Sequence, residues 1–286
     1  MNKEMKVSSD YEQRKAVILL VCTAVLWSTS GILIKLVDWN PVAIAGIRSA
    51  VAALLMWAYV KRPHFTWSAA QLGGAVAYAA TVILFVVANK MTTSANVILL
   101  QYTAPIYVAI FGHLLLGEKT TRMDLVAIIM VFLGMGLFFK DELSPGAFWG
   151  NVLAVLSGVT FALVAVLLRK QKEGYPLESV LLGNLLAAIV AIPFMTGPYP
   201  DAKGWLVLIF MGLVQLGLPY ILYSIALKHV TAVQVSILSY INTIIAVFLG
   251  WLLLDEIITI DFIIATALII LGVFIVNYKK KEKKAV

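Results

Sequence analysis

Charge is scarce in this chain. Of its 286 residues only 13% are charged, against 62% hydrophobic, and the mean hydropathy is +0.95. So few charges, with apolar runs of about 20 residues, exclude a soluble domain. Cysteine is scarcer still: Cys22 is the only one, so there is no intrachain disulfide and no reading of redox compartment. The acids avoid the middle of every apolar run, with Asp38, Asp124, Glu178, Asp255 and Asp261 all at ends. An aspartyl intramembrane hydrolase needs two acids at depth, and a metalloprotease needs His-Glu-x-x-His. Neither is present, and His64, His113 and His229 are poorly placed to activate a serine. The chain is therefore not expected to be an enzyme, and no cofactor or metal is expected.

Hydrophobic runs, read against turn and charge signals, predict an all-α integral membrane protein of ten transmembrane helices. The spans fall near 16–37, 41–60, 68–89, 93–116, 121–139, 148–168, 178–197, 204–226, 231–254 and 259–278. Residues 1–15 form a tail before the first run, which is too long for a signal-peptide core and ends in no small-residue cleavage site. Lysine and arginine set the orientation. Arg14, Lys15, Lys61, Arg62, Lys119, Arg122, Arg169, Lys170, Lys172 and Lys228 fall on one side with both termini. The other side holds only Lys90, Lys140 and Lys203, plus Lys35. The positive-inside rule then makes both termini cytoplasmic in a multi-pass plasma-membrane protein. The net charge of +7 is this topology signal rather than a mark of nucleic-acid binding. The basic tail, 279–286, can hold anionic lipid. Expected partners are the bilayer and a small-molecule substrate, in a monomer or homodimer.

One segment occurs twice. "ANVILLQYTAPIYVAIFGHLLLGEKTT" (95–121) aligns without a gap on "VQVSILSYINTIIAVFLGWLLLDEIIT" (233–259). Val97 falls on Val235, Tyr102 on Tyr240, Gly112 on Gly250 and Glu118 on Glu256. The chain thus divides into two five-helix repeats, 16–142 and 146–278. Because five is odd, the second repeat is inverted in the membrane. Inverted repeats let a carrier alternate between two nearly equivalent conformations around a central site.

The "LLLGE" and "LLLDE" endings of helices four and nine combine with Trp27 and Lys35 in helix one and Arg48 in "AGIRSAVAALL". With Pro105, Glu118 and Glu256, this pattern resembles the EamA-like family of the drug/metabolite transporter superfamily over about residues 16–278. The resemblance implies a carrier of small polar or amphipathic metabolites, often an exporter. One departure stands out: where relatives often carry Glu-Pro in the ninth helix, this chain has Asn242-Thr243. Substrate and coupling therefore do not transfer from the family.

Polar groups at depth must find a partner or face water. Trp27, Tyr78, Tyr102 and Tyr240 are candidates for an aromatic wall, and Gln101, Gln215 and Asn242 for its hydrogen-bonding groups. Ser28, Thr160 and Ser239 lie at similar depth, with local backbone bonding as their ordinary role, and Tyr223 lies nearer the cytoplasm. The expected cavity lies between helices 1, 3, 4, 6, 8 and 9. Pro105 and Pro219 each remove a backbone hydrogen bond and predict a kink or hinge. Lys35 can snorkel outward. Glu118 and Glu256 oppose the dipoles of the helices they close, so each is expected to pair with a basic residue or a helix N-terminus, or to gate. Arg48 is either a counter-ion for a substrate carboxylate or a plug bonding carbonyls of adjacent helices; its recurrence in the resembling family, whatever the substrate, favours the plug. A neutral, aromatic cavity with at most positive charge nearby favours neutral or zwitterionic solutes such as amino acids over multidrug or organic-cation efflux.

Overall fold

The computed structural model describes residues 3–101, 103–119, 121–138 and 148–231 continuously, and scattered positions from 235 to 275. Tyr102, Ser239, Tyr240, Glu256, the basic tail and most of the predicted ninth and tenth spans lie outside the described residues. Among the described residues the chain is helix and loop without a strand. Six helical stretches are long and apolar enough to cross a membrane: Tyr11–Leu36, Pro41–Val60, Ala69–Met91, Phe148–Lys170, Pro176–Phe194 and Ala202–Ala226. The apolar helix Ala104–Leu116 is shorter. The protein is a multi-pass, all-helical membrane protein.

The first span is two helices, α1 (Lys3–Trp27) and α2 (Ser30–Leu36). Two features differ from the expected helix at 16–37. The helix starts well before residue 16, because Lys3–Lys15 contains no glycine or proline and several good helix formers. Hydropathy marks where the membrane begins, not where helical hydrogen bonding begins. The helix also breaks at Ser28-Thr29, within a run of three hydroxyl residues. Next come α3 (Pro41–Val60) and α4 (Ala69–Met91). Asn40 caps α3 by accepting from the amides of Val42 and Ala43, and Ser68 caps α4 by accepting from Gln71. The fourth span is again divided, into α5 (Ser94–Gln101) and α6 (Ala104–Leu116). Gly117, at φ 65°, ends α6 in the left-handed conformation that favours glycine. Then follow α7 (Arg122–Phe138), α8 (Phe148–Lys170) and α9 (Pro176–Ala191). The eighth span holds α10 (Ala202–Phe210) and α11 (Leu218–Ala226), joined by a π-helix over Met211–Gly217.

Helices α4 and α8 pack antiparallel and are pinned at three levels. Thr92 bonds Asn151 at 3.2 Å, Thr81 bonds Thr160 at 2.9 Å, and Gln171 donates to Ala70 O at 3.1 Å. Small residues let other pairs approach closely, as expected where lipid supplies no hydrophobic force between helices. A Cβ on Gly46 of α3 would collide with Ala191 of α9. One on Gly212 of the π-helix would lie 2.8 Å from the carbonyl oxygen of Arg48. That second approach brings Arg48 and the π-helix together.

Candidate functional site

Three of the predicted spans, the first, fourth and eighth, lose regular α-helix around one cavity. In the first, the Ser28 hydroxyl donates to Val25 O at 2.7 Å, and its amide is shared between Ala24 O (3.1 Å) and Val25 O (3.3 Å). Such local bonding competes with the helical ladder. In the fourth, the Thr103 hydroxyl and amide both donate to Leu100 O, at 2.7 and 3.2 Å, and α6 restarts with Pro105 in its first turn. In the eighth, the π turns of Met211–Gly217 precede Pro219, which has no amide hydrogen to give. Single π turns inside α-helices occur often at functional sites. Broken helices at membrane depth are tolerated where they line a cavity or are buried in protein.

The cavity has a volume of about 70 Å³. Trp27, Ser28 and Ser30 line it from the first break, Ile98 and Gln101 from the end of α5, and Gln215 and Leu216 from the π-helix. Arg48, Thr81, Val82, Phe85, Phe161, Tyr220 and Asn242 complete it. Its aromatic side is one packed cluster. Trp27 stands 5.9 Å from Phe161 in an edge contact and 5.2 Å from Tyr220. Tyr220 in turn meets Tyr78 edge-on at 4.7 Å. Tilted and edge geometries of this kind are the ones aromatic pairs prefer.

The polar side is held from behind. Gln101 Nε2 donates to the Ser157 hydroxyl at 2.7 Å, and Ser157 Oγ lies 3.4 Å from Thr81 O. Arg48 Nη1 donates to Gln215 Oε1 at 3.3 Å. Arg48 is 2% exposed, its Nε has no partner, and among the described residues no carboxylate forms an ion pair with it. Among the described residues it is the only formally charged one lining the cavity.

Of the residues expected at the site, Trp27, Ser28, Gln101, Gln215 and Asn242 line the cavity, and Arg48 joins them. Three do not. Tyr78 is fully buried behind the wall and donates to Asn184 Oδ1 at 3.1 Å. Tyr223 is buried behind Trp27 and Tyr220, at ring distances of 5.8 and 5.7 Å. Thr160 bonds Thr81, and its hydroxyl lies 3.1 Å from Leu156 O and 3.0 Å from Ser157 O. In each case a neighbour on the same helix takes the lining position: Thr81, Val82 and Phe85 for Tyr78, Tyr220 for Tyr223, and Phe161 for Thr160. Tyr220 had one sequence signal, its place directly after Pro219.

The ends of the bundle carry the remaining candidates. Lys35 is exposed at the end of α2. At that end Lys90 donates to Val37 O at 2.6 Å. At the other end Glu118 accepts from Arg169 Nε at 3.2 Å, while Arg169 Nη1 donates to Leu227 O at 2.6 Å and Lys228 O at 3.3 Å. Arg169 thus joins the end of α6 to the end of α11. Among the described residues no group of three or more His, Cys, Asp or Glu could hold a metal ion.

Comparison with known proteins agrees with this architecture. The profile of the EamA-like transporter family matches the chain twice, over residues 14–140 and 148–278. An uncharacterized transporter of Archaeoglobus fulgidus is 27% identical over 90% of this chain and 94% of its own length. The pseudopaline exporter CntI of Pseudomonas aeruginosa is 25% identical, covering 85% of this chain and 89% of that protein. A solved crystal structure, 18% identical, superposes with a TM-score of 0.77 over 91% of this chain and 95% of its own, and shares the fold. With two family matches spanning nearly its whole length, the chain belongs to the EamA-like transporter family of the drug/metabolite transporter superfamily.

Proposed function

We propose that the protein is a secondary carrier, an exporter or exchanger, that moves small neutral or zwitterionic metabolites such as amino acids by alternating access. The reading has ten spans in two inverted halves, cytoplasmic termini and a plasma-membrane location. The observation that carries it is the meeting of three irregular helix segments at one cavity, the arrangement by which carriers expose backbone and polar groups to a solute. Trp27, Phe161 and Tyr220 would pack against the solute's apolar part, and Gln101, Gln215 and Asn242 would orient its polar groups. The tie between Arg169, Glu118 and the end of α11 would hold one end of the pathway closed. The relative named as an exporter supports the outward direction. An organic-cation carrier is the weaker reading, because the one charged residue lining the cavity among the described residues is positive.

The test is uptake and efflux in proteoliposomes with a panel of amino acids, amines and other metabolites, with and without a pH gradient. Saturable movement of an amino acid is expected, with Gln101→Ala and Asn242→Ala each lowering it about tenfold, as when a buried polar partner is lost. Unchanged transport in both variants would refute the cavity assignment. Preference for cationic amines would reverse the choice of substrate class.

A further inference from the structure

The geometry points to Arg48 and Gln215 as the seat of a substrate carboxylate, so that the carrier takes solutes with one acid group beside an apolar body. This rests on the carrier reading above and changes its substrate class to solutes that bear a carboxylate, whether zwitterionic or anionic. Arg48 is buried to 2% exposure at the cavity wall. A guanidinium has five N–H donors, and here the single hydrogen bond seen runs to an uncharged amide oxygen at 3.3 Å, longer than the roughly 2.7–2.9 Å of a charge-assisted pair. Its Nε finds nothing. The ionisable groups that face it are the phenols of Tyr78 and Tyr220, neither of them a counter-ion. An uncompensated buried charge is costly, and a plug would have its donors filled by carbonyls. Among the described residues only one donor of Arg48 is spent, and the side chain lines the space a solute would occupy.

The local backbone holds the pair in place. Gly212 lets the π-helix approach within 2.8 Å, measured from the Cβ it lacks, of the Arg48 carbonyl. Gln215 lies three residues further along the same π segment. The planar fork of a guanidinium matches a carboxylate in a bidentate pair. Trp27, Phe161 and Tyr220 line the same cavity with aromatic rings and bring no second formal charge to it. A monocarboxylate with an aliphatic or aromatic body fits both sides. A dianion would leave one charge against the rings.

The decisive variant is Gln215→Glu, which supplies an internal carboxylate where Arg48 now meets an amide oxygen. The full-length protein is purified in detergent, and its melting temperature is followed with leucine, leucinamide, isopentylamine and 4-methylpentanoate, with chloride as the small-anion control. Transport of the same four solutes is then measured in proteoliposomes. For wild type, leucine and 4-methylpentanoate should raise the melting temperature, while leucinamide, isopentylamine and chloride should not. Gln215→Glu should melt higher than wild type without ligand, lose the stabilisation by both carboxylates, and lose their transport about tenfold or more. Arg48→Lys keeps the charge without the fork and should weaken carboxylate binding while leaving the protein folded.

Equal stabilisation by chloride and by the carboxylates would overturn the seat, as would no stabilisation by any carboxylate. Unchanged carboxylate binding in Gln215→Glu would also overturn it. If leucinamide or isopentylamine is transported as well as leucine, the seat fails and the carrier reading stands. Stabilisation by carboxylates without transport of any solute would keep the seat and sink the carrier reading.

Discussion

Gly46 sits where α3 meets α9 with no room for a methyl group, since a Cβ there would collide with Ala191. Gly112 of α6 has nothing within 4 Å of its missing Cβ among the described residues. Gly46→Ala should therefore lower stability in detergent by about 1–3 kcal/mol, as overpacking does. Gly112→Ala should leave stability unchanged or raise it slightly, because alanine is the better helix former. Melting curves of the two purified variants separate these outcomes, and equal shifts would argue against the close contact. At this scale the sequence gives depth more reliably than direction. Tyr78, Thr160 and Tyr223 are near the cavity in height but turned from it, while Thr81, Phe161 and Tyr220 face it. The helices are apolar on nearly every side, so periodicity carries little information about which face meets the cavity. Gln101 and Gln215 could be picked out because an amide at depth has few alternatives to lining a cavity.

Helix ends as well as helix bodies carry polar ties in this protein. Arg169 fastens α8 to both α6 and α11 through one carboxylate and two carbonyls. Glu118→Gln removes only the charge pairing, at a position already partly exposed, and should cost about 1 kcal/mol or less. Arg169→Ala removes all three bonds and should cost about 2–3 kcal/mol. Melting temperatures should fall in the order wild type, Glu118→Gln, Arg169→Ala, and indistinguishable values would show that the tie contributes nothing. A basic partner for Glu118 was among the expectations from the helix dipole alone, although Arg169 could not be chosen from the other basic residues expected on that side. The breaks were legible only in part. Pro105 marked the fourth span, and Pro219 suggested a kink where the chain instead forms a π-helix before the proline. The interruption at Ser28-Thr29 has no proline; three consecutive hydroxyl residues were its only sign.

On the scale of the whole molecule, the duplication was visible as an ungapped echo between 95–121 and 233–259, and the family profile also matches the chain twice. Six of the expected crossings appear as long apolar helices, with ends shifted by a few residues because turn signals and hydropathy need not coincide. The inverted orientation has a direct test, helped by the presence of a single cysteine. In a Cys22→Ser background, cysteines introduced at Arg62 and Lys172 should react with an impermeant thiol reagent from the cytoplasmic side. One introduced at Lys203 should react from outside. Labelling of all three from the same side would refute the topology.

Among the described residues, charged side chains fasten the two ends of the bundle unequally, with Thr92 and Asn151 adding a neutral bond at the Lys90 end. One amine, that of Lys90, reaches one carbonyl at Val37, whereas Arg169 holds a carboxylate and two carbonyls at the far end. If the molecule rocks between two shapes as proposed, the stronger fastening lengthens the dwell in the shape it closes. Loading from the weakly tied side and loading from the strongly tied side then proceed at different speeds under equal gradients. The carrier would be a rectifier in its kinetics while obeying the same equilibrium in both directions.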